Sequence, residues 1–180
     1  MKRILLIFAW LVCFAITAMA QAKYVFFFIG DGMGPNQVLA AEMYQAALKG
    51  EIGRVPLLMS QFPYSGQAAT FSASYGITDS AAAGTCLATG KKTNNGMIGQ
   101  TPDGELAISV ASQLKTEGWG VGIMSSVPVD HATPASHYAH AEKRYYYYKI
   151  GTQLTQSEFD FFGGGGFQSP TNKENAEDPN

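Results

Sequence analysis

The sequence predicts an α/β protein, with a three-layer αβα arrangement around a mostly parallel sheet. Two observations support this class. Apolar runs typical of buried strands alternate along the chain with amphipathic or alanine-rich stretches typical of helices. Polar side chains suited to chemistry stand in glycine-containing loops after such runs, where open α/β sheets bind ligands. A length of 180 residues suits one domain with a hydrophobic core.

Residues 1–20 are predicted to be a secretory signal peptide outside the fold. Lys2 and Arg3 precede the apolar stretch "ILLIFAWLVCFAI", and Ala18–Ala20 forms a small-x-small cleavage site. A membrane anchor is the alternative, but the stretch is shorter than the roughly 20 residues that a span needs. We therefore expect an exported protein, periplasmic or secreted, that meets the membrane only through its export signal, with its domain in residues 21–180.

The charge balance and the cysteines restrict the partners and the stabilising bonds. Twelve basic and fourteen acidic residues give a net charge of −2, which becomes −4 once Lys2 and Arg3 leave with the signal peptide. Nothing in this balance indicates a nucleic-acid partner. Cys13 also leaves, so Cys86 has no cysteine to pair with inside the chain. An exported domain of this kind depends on its core or on metal ions.

The elements of the first half follow from hydrophobic patterning. Lys23–Ile29 is a continuous apolar run, which predicts a strand buried on both faces. Asn36–Lys49 has helical periodicity, with its asparagine as N-cap and Gly50 just past its end. Gln67–Phe71 is a candidate short strand, and an alanine-rich helix is predicted to begin near Ser80.

The second half continues the alternation. Gly104–Glu117 predicts an amphipathic helix that ends at Gly118, and Trp119–Met124 predicts another buried strand. Pro134–Tyr146 has a helical pattern. Phe159–Phe162 predicts a short strand that runs into four glycines. The order of these elements favours parallel strands joined by helices.

The stretch "IGDGMG" places Asp31 between glycines. Its G-x-G-x-G spacing differs from the G-x-G-x-x-G of dinucleotide loops, and a carboxylate there would repel a pyrophosphate. A carboxylate after a parallel strand suits a metal ligand, and the glycines allow close approach. From this stretch alone, a metal ligand and a simple turn aspartate remain equally open.

The stretch "TDSAAAGTCLATGKK" imitates a phosphate-binding Walker A loop. Five residues separate Gly84 and Gly90 where four are required, and a second lysine stands where Ser or Thr is needed. Asp79 and Ser80 are more informative, because a serine in the first turn of a helix can receive a phosphate or stabilise an alkoxide. An ordinary Asp/Ser helix cap is the favoured alternative for this stretch taken alone.

The third polar stretch, "DHATPASHYAHAEKR", contains the three histidines of the chain, His131, His137 and His140. His137 and His140 have the i,i+3 spacing of a metal pair, although surface or core positions are commoner for such histidines. Arg144 could clamp an oxyanion through two N–H groups. A solvated helix arginine is the alternative.

Together, in this order and spacing, these stretches resemble the alkaline phosphatase family. The resemblance is carried by Ile29–Gly34, Thr78–Gly90, His131–His140 and Arg144, and it extends over Tyr24–Gly166. It implies hydrolysis of small phosphate monoesters through a phosphoserine. In that scheme Ser80 is the nucleophile, Asp79 orients it, and Arg144 holds two phosphate oxygens.

The resemblance also implies a metal centre with two zinc ions and one magnesium-type ion. Asp31 would bridge a zinc and the magnesium-type site, and Ser80 would bind zinc through its hydroxyl. Thr133 and His131 would serve the third site. Because imidazole suits zinc better than magnesium, the third ion is either of the two.

In the resembled family, most zinc ligands come from the part of the chain that would follow residue 180. We therefore expect an N-terminal portion of such an enzyme, inactive on its own, and the family's common dimers make a homodimer one possibility. Two other functions are kept open. One is a related two-metal phosphodiesterase, and the other is a non-catalytic exported remnant that binds phosphate.

Overall fold

The computed structural model describes residues 22–172, which divide into two compact units between Gly30 and Asp31. The predicted signal peptide at residues 1–20 lies outside the described residues. Of the first unit, residues 22–30 are described. The second unit carries every helix and strand named below.

The prediction of a buried strand at Lys23–Ile29 is wrong for the described structure. The segment is extended but is not assigned as a strand, and Phe26 and Phe28 are 79% and 88% exposed. An apolar run reports only a preference for burial. A buried strand also needs neighbouring backbone to complete its hydrogen bonds, and the run cannot supply that.

The described second unit contains helices and strands, but they do not alternate one by one as predicted, because several helices precede the first strand. In chain order they are α1 (Pro35–Leu48), a short 3-10 helix (Leu58–Gln61), α2 (Ser80–Thr89), α3 (Val110–Thr116), β1 (Gly122–Met124), α4 (Ala132–Ala135), α5 (Tyr147–Leu154) and β2 (Phe161–Gly163). The two strands of the described sheet are parallel, with Gly122 opposite Phe161 and Met124 opposite Gly163. Because helices α4 and α5 lie between them in sequence, this confirms the α/β class.

Helix α1 forms where expected, but its N-cap was wrongly predicted. Gly34 is the N-cap and Pro35 is the first helical residue, so Asn36 lies inside the first turn. Proline favours the first helical position because its missing N–H has no helical partner there. At the other end Gly50 has φ of +70°, which confirms the glycine stop.

Two further predictions are wrong, one because the strand does not form and one because the helix begins later. Gln67–Phe71 is exposed and is not a strand. The helix predicted from Gly104 begins only at Val110. Its Ser109 cap accepts a hydrogen bond from Ser112, and a tight turn closed by Thr101 N–H to Glu105 O occupies the preceding residues. The amphipathic spacing thus begins in a turn that precedes the helix.

The helix predicted at Pro134–Tyr146 is interrupted. Helix α4 ends at Ala135, and Ala141 exchanges two backbone hydrogen bonds of 2.9 Å with Ile98. That pairing replaces helical bonds and sends the chain into α5, which was not predicted. The strand predicted at Trp119–Met124 shortens to β1, and its residues are exposed or half-buried rather than fully buried.

The hydrophobic core of the second unit consists mostly of alanine. Its members are Ala81, Ile98, Ala132, Ala135, Tyr138, Ala139, Ala141 and Ile150. Small side chains let the backbones of α2 and α4 approach closely, and the two helices pack against each other. Among the described helices, none combines the length and the apolar character that crossing a bilayer requires.

Gly99 is the tightest backbone contact beside this core. It has φ of +59°, and a Cβ there would lie 2.2 Å from the Ala139 carbonyl oxygen. We expect Gly99→Ala to lower the free energy of unfolding by about 3 kcal/mol, because left-handed strain adds to a backbone clash. The measurement is denaturant unfolding of the full-length protein that carries this sequence.

Gly104→Ala is the matched control. Gly104 has φ of +86° but nothing within 4 Å of its would-be Cβ, so only the left-handed cost of about 1 kcal/mol applies. Equal losses for the two variants would contradict a close approach at Gly99.

A buried carboxylate fixes the chain that follows α1. Glu42 is 1% exposed and accepts hydrogen bonds from Ser60 Oγ at 2.6 Å, Leu57 N–H at 3.1 Å and Arg54 Nη1 at 3.3 Å. The Ser60 hydroxyl, followed by the Leu57 amide, lowers the pKa of Glu42. The ionised form therefore ties the 3-10 helix to α1.

This clamp predicts a pH dependence of stability. A carboxyl whose pKa is lowered by folding stabilises the native state above its ordinary pKa, and it loses that contribution as pH falls through the lowered value. We expect Glu42→Gln to reduce the loss of unfolding free energy on acidification in urea titrations. The exposed Glu51→Gln should leave the pH dependence unchanged, and equal curves for both variants would count against the clamp.

Candidate active site

Asp31 receives two hydroxyl groups from distant parts of the second unit. It lies on an exposed turn just before α1, with Gly32 at φ of +70°. Ser80 Oγ donates to its Oδ1 at 3.2 Å, and Thr133 Oγ1 donates to its Oδ2 at 2.9 Å. One carboxylate therefore joins the start of α2 to α4.

Asp79 organises the other half of the site. As the N-cap of α2 its Oδ1 accepts from Ala82 N–H at 2.9 Å. Its Oδ2 accepts from Gly96 N–H at 3.0 Å and from Arg144 Nη1 at 3.1 Å. Both partners of the ion pair are about one quarter exposed. Asp79 therefore caps α2 and pairs with Arg144 at the same time.

Ser80 lies between these two halves. It is the first residue of α2, follows the N-cap directly, and is half-buried. The N–H groups of a first helical turn lack helical acceptors and form the positive end of the helix dipole. An anion held there would meet the guanidinium of Arg144, which the Asp79 contact brings to the same helix end.

The Walker A resemblance fails structurally as well. Gly84 lies inside α2, and Gly90 is its C-cap at φ of +72°. Lys92 donates to the Phe71 carbonyl and lies 3.7 Å from the centre of the Phe71 ring. The segment is thus a helix with its glycine stop rather than a phosphate loop.

His131 has neighbours other than Asp31. It is the N-cap of α4, its ring stacks on Tyr147 with centroids 5.4 Å apart, and its Nε2 lies 3.4 Å from Gln168 Oε1. Burial raises the pKa of Tyr147, and the charge of Arg144 partly offsets this. The described contacts place His131 near an aromatic ring, and its predicted metal role stays a prediction.

His137 and His140 contact different backbone carbonyls. His137 Nδ1 is 3.2 Å from Thr133 O, whereas His140 Nδ1 is 2.6 Å from Gly99 O. His137 is buried, and this burial is the main cause that lowers its pKa. These contacts agree with the expectation that such histidines more commonly occupy core or surface positions than bind a metal as a pair.

Asn95 and Gly96 belong to the site but were not singled out from the sequence. Asn95 Oδ1 accepts from Asp79 N–H at 3.1 Å, and its Nδ2 donates to Ile77 O at 3.0 Å. Gly96 O accepts from Arg144 N–H at 2.7 Å. The Asn-Asn-Gly triplet signals a turn. That signal gives no indication that the turn folds back onto Asp79.

The oxygen atoms around Asp31 fit an oxygen-ligated divalent cation in part. A carboxylate and two hydroxyls converge there, which is the donor chemistry that magnesium prefers. Zinc sites instead use clusters of His, Cys, Asp or Glu. Within residues 22–172, no three or more such side chains come together in a way that could hold a metal ion.

The chain is similar in sequence to known phosphatases. The family model described as alkaline phosphatase matches residues 22–160. The chain belongs to the alkaline phosphatase family. The tissue-nonspecific alkaline phosphatase of Gallus gallus is 36% identical over 137 residues, which cover 70% of this chain and 26% of that protein.

Solved alkaline phosphatases share the fold. The cold-active enzyme from Shewanella sp. aligns with a TM-score of 0.67 and 32% identity, covering 74% of this chain and 33% of that one. A variant of the alkaline phosphatase from the Antarctic bacterium TAB5, solved with Mg bound in its M3 site, aligns with a TM-score of 0.51 and 30% identity over 58% of this chain and 33% of that one. The chain therefore spans about a quarter to a third of the length of these alkaline phosphatases.

Proposed function

We propose that this chain is the N-terminal portion, residues 21–180, of a metal-dependent phosphomonoesterase that forms a phosphoserine at Ser80. The observation that carries the proposal is the shared contact of Ser80 and Thr133 with Asp31, beside the ion pair of Asp79 and Arg144. Family membership supports the reaction class. The chain spans only part of its relatives, so the activity belongs to the full-length protein.

Arg144, the start of α2 and Ser80 have separate roles in phosphoryl transfer. Arg144 donates N–H groups to two non-bridging phosphate oxygens, and the start of α2 adds its dipole. Ser80 Oγ forms a bond to phosphorus while the bond to the leaving alcohol oxygen breaks. The hydroxyl proton goes to solvent, and the alcohol takes a proton from solvent. Water then hydrolyses the phosphoserine to free phosphate and restores Ser80.

Asp79 keeps the reacting groups aligned. It caps the helix that carries Ser80 and binds the guanidinium of Arg144 with the same carboxylate. Because the Asp79 carboxylate is fixed by its bond to the helix N-terminus, it also restrains the position of the Arg144 guanidinium. Orientation of this kind accounts for a large share of the rate in phosphoryl transfer.

Asp31, Thr133 and Ser80 would hold divalent cations, with His131 as a further ligand, and we propose two zinc ions and one of magnesium type. When bound, such cations lower the pKa of the serine hydroxyl and neutralise charge on the phosphoryl group. The zinc ligands would come largely from chain beyond the described residues. An exported location and a homodimer are parts of the same proposal.

The test is the appearance of phosphoserine. The full-length protein is mixed with p-nitrophenyl phosphate, quenched, digested and examined by mass spectrometry for a phosphoryl group on Ser80. Faster release of p-nitrophenol from the monoester than from bis-p-nitrophenyl phosphate supports the monoesterase over a phosphodiesterase. If the protein binds phosphate in the presence of a chelator but shows neither phosphoserine nor turnover, the proposal is wrong and the protein is a non-catalytic phosphate-binding protein.

A further inference from the structure

The seam between α2 and α4 has an unusually close contact at Gly84. A Cβ atom placed on Gly84 would lie 2.7 Å from Ser136 Oγ, 3.3 Å from Ser136 Cβ and 3.5 Å from Thr133 Cα. Gly84 and Ser136 are both buried, and Ser136 is 2% exposed. A helix-interior glycine costs stability compared with alanine. The absence of a side chain here therefore has a packing reason.

Ser136 is also tied to Thr133. Its Oγ donates to the Thr133 carbonyl at 2.8 Å, and the same carbonyl lies 3.2 Å from His137 Nδ1. Thr133 in turn donates through Oγ1 to Asp31. A side chain that presses on Ser136 must either rotate its hydroxyl away from Thr133 or push the two helices apart. The first response removes a hydrogen bond that holds the Thr133 carbonyl, and the second displaces Thr133 itself.

Gly84 lies in the same helix as the proposed nucleophile, Ser80. It follows Ser80 by four residues, so the two lie on one face of α2 about one turn apart. Ala81 of the same helix packs with Ala132 and Ala135 of α4 in the core. Because Gly84 itself lies against Ser136 and Thr133, the face that presents Ser80 is turned toward the helix that carries Thr133.

We infer that Gly84 and Ser136 are positioning residues, a matched pair that sets the separation between Ser80 Oγ and Thr133 Oγ1 across Asp31. Neither residue touches the phosphate. The glycine gives the hydroxyl of Ser136 its space, and that hydroxyl holds the backbone of Thr133. The kinetic consequence rests on the proposed function of Ser80, whereas the geometric consequence does not.

The experiment is a double-mutant cycle in the full-length protein. Gly84→Ala is expected to lower kcat for p-nitrophenyl phosphate at least about tenfold, since displacements near 1 Å are costly in oriented reactions. In a Ser136→Gly background, which removes both the hydroxyl and the Cβ, the same change should cost less than about twofold by the same reasoning. Equal losses in the two backgrounds would overturn the inference.

Crystal structures of the same variants measure the geometry directly, independently of whether the protein is active. Gly84→Ala should change the distance between Ser80 Oγ and Thr133 Oγ1 in the wild-type background, whereas in the Ser136→Gly background the same substitution should leave that distance as it is in Ser136→Gly alone. An unchanged distance would leave Gly84 with a merely structural role and contradict the inference. If the wild-type protein turns over no monoester, the proposed function fails while this distance still tests the pair.

Two more variants keep the test decisive. Gly66→Ala is the control, because nothing lies within 4 Å of its would-be Cβ, and it should change neither kcat nor the distance. Ser136→Ala removes only the hydroxyl and serves if Gly84→Ala does not fold. It should move Thr133 and lower kcat by about threefold or more, in keeping with one lost hydrogen bond. No change in either quantity would refute the pairing.

Discussion

Replacing Ser80 by alanine is expected to abolish phosphate-monoester turnover, lowering kcat by about 10³-fold or more, because covalent catalysis has no substitute nucleophile. The removed oxygen is the atom that donates to Asp31. Folding should be retained, since Asp79 still caps α2 through Ala82 and alanine suits a first helical turn. The measurement is steady-state turnover of p-nitrophenyl phosphate by the full-length protein.

The serine variant has a matched control in Ser157→Ala. Ser157 donates to the Leu154 carbonyl after α5, and its loss should leave turnover unchanged. Phosphoserine should be detectable in the control and absent from the Ser80 variant. Retention of more than a tenth of wild-type kcat by Ser80→Ala would mean that another group attacks the phosphorus.

Replacing Arg144 by alanine is expected to raise KM for the monoester about 10- to 100-fold, the range given by hydrogen bonds to charged groups of about 1.5–3 kcal/mol. The guanidinium of Arg144 pairs with Asp79 at 3.1 Å, beside the helix start that carries Ser80. Asp79 would keep Gly96 and Ala82 as donors, so the site should stay folded. Arg144→Lys should recover little, because an ammonium cannot match two oxygens with a planar fork.

Arg54→Ala is the control for this charge change. Arg54 is the other arginine outside the predicted signal peptide, its side chain is 65% exposed, and it pairs with Glu42 rather than with the site. It should leave KM unchanged. Equal effects of the two arginine variants would point to general electrostatic attraction of the substrate instead of a phosphate clamp.

Local sequence signals predicted those elements whose causes are local. Helix α2 begins at Ser80 because Asp79 is a good N-cap, and it ends where Gly90 can adopt a left-handed conformation. Helix α1 was found from its periodicity, although Pro35 moved its start. Signals of this kind lie within a few residues of the element that they define.

Predictions failed where distant backbone competed with a local pattern. The helix expected at Pro134–Tyr146 gives way to a bridge between Ala141 and Ile98, more than forty residues apart in the chain. The apolar run at Lys23–Ile29 had the composition of a buried strand, yet in the described structure it is exposed chain. Composition states what a segment favours, whereas pairing depends on which backbone is available to it.

The sequence specifies the residue types of the site: a carboxylate among glycines, a serine at a helix start, and an arginine that follows Thr133 and Pro134. Only the tertiary structure decided that Thr133 reaches Asp31 across 102 positions and that Arg144 reaches Asp79 across 65. The physical reason is that hydrogen bonds are short and directional. They form only after packing at seams such as Gly84 against Ser136 has set the distance between helices.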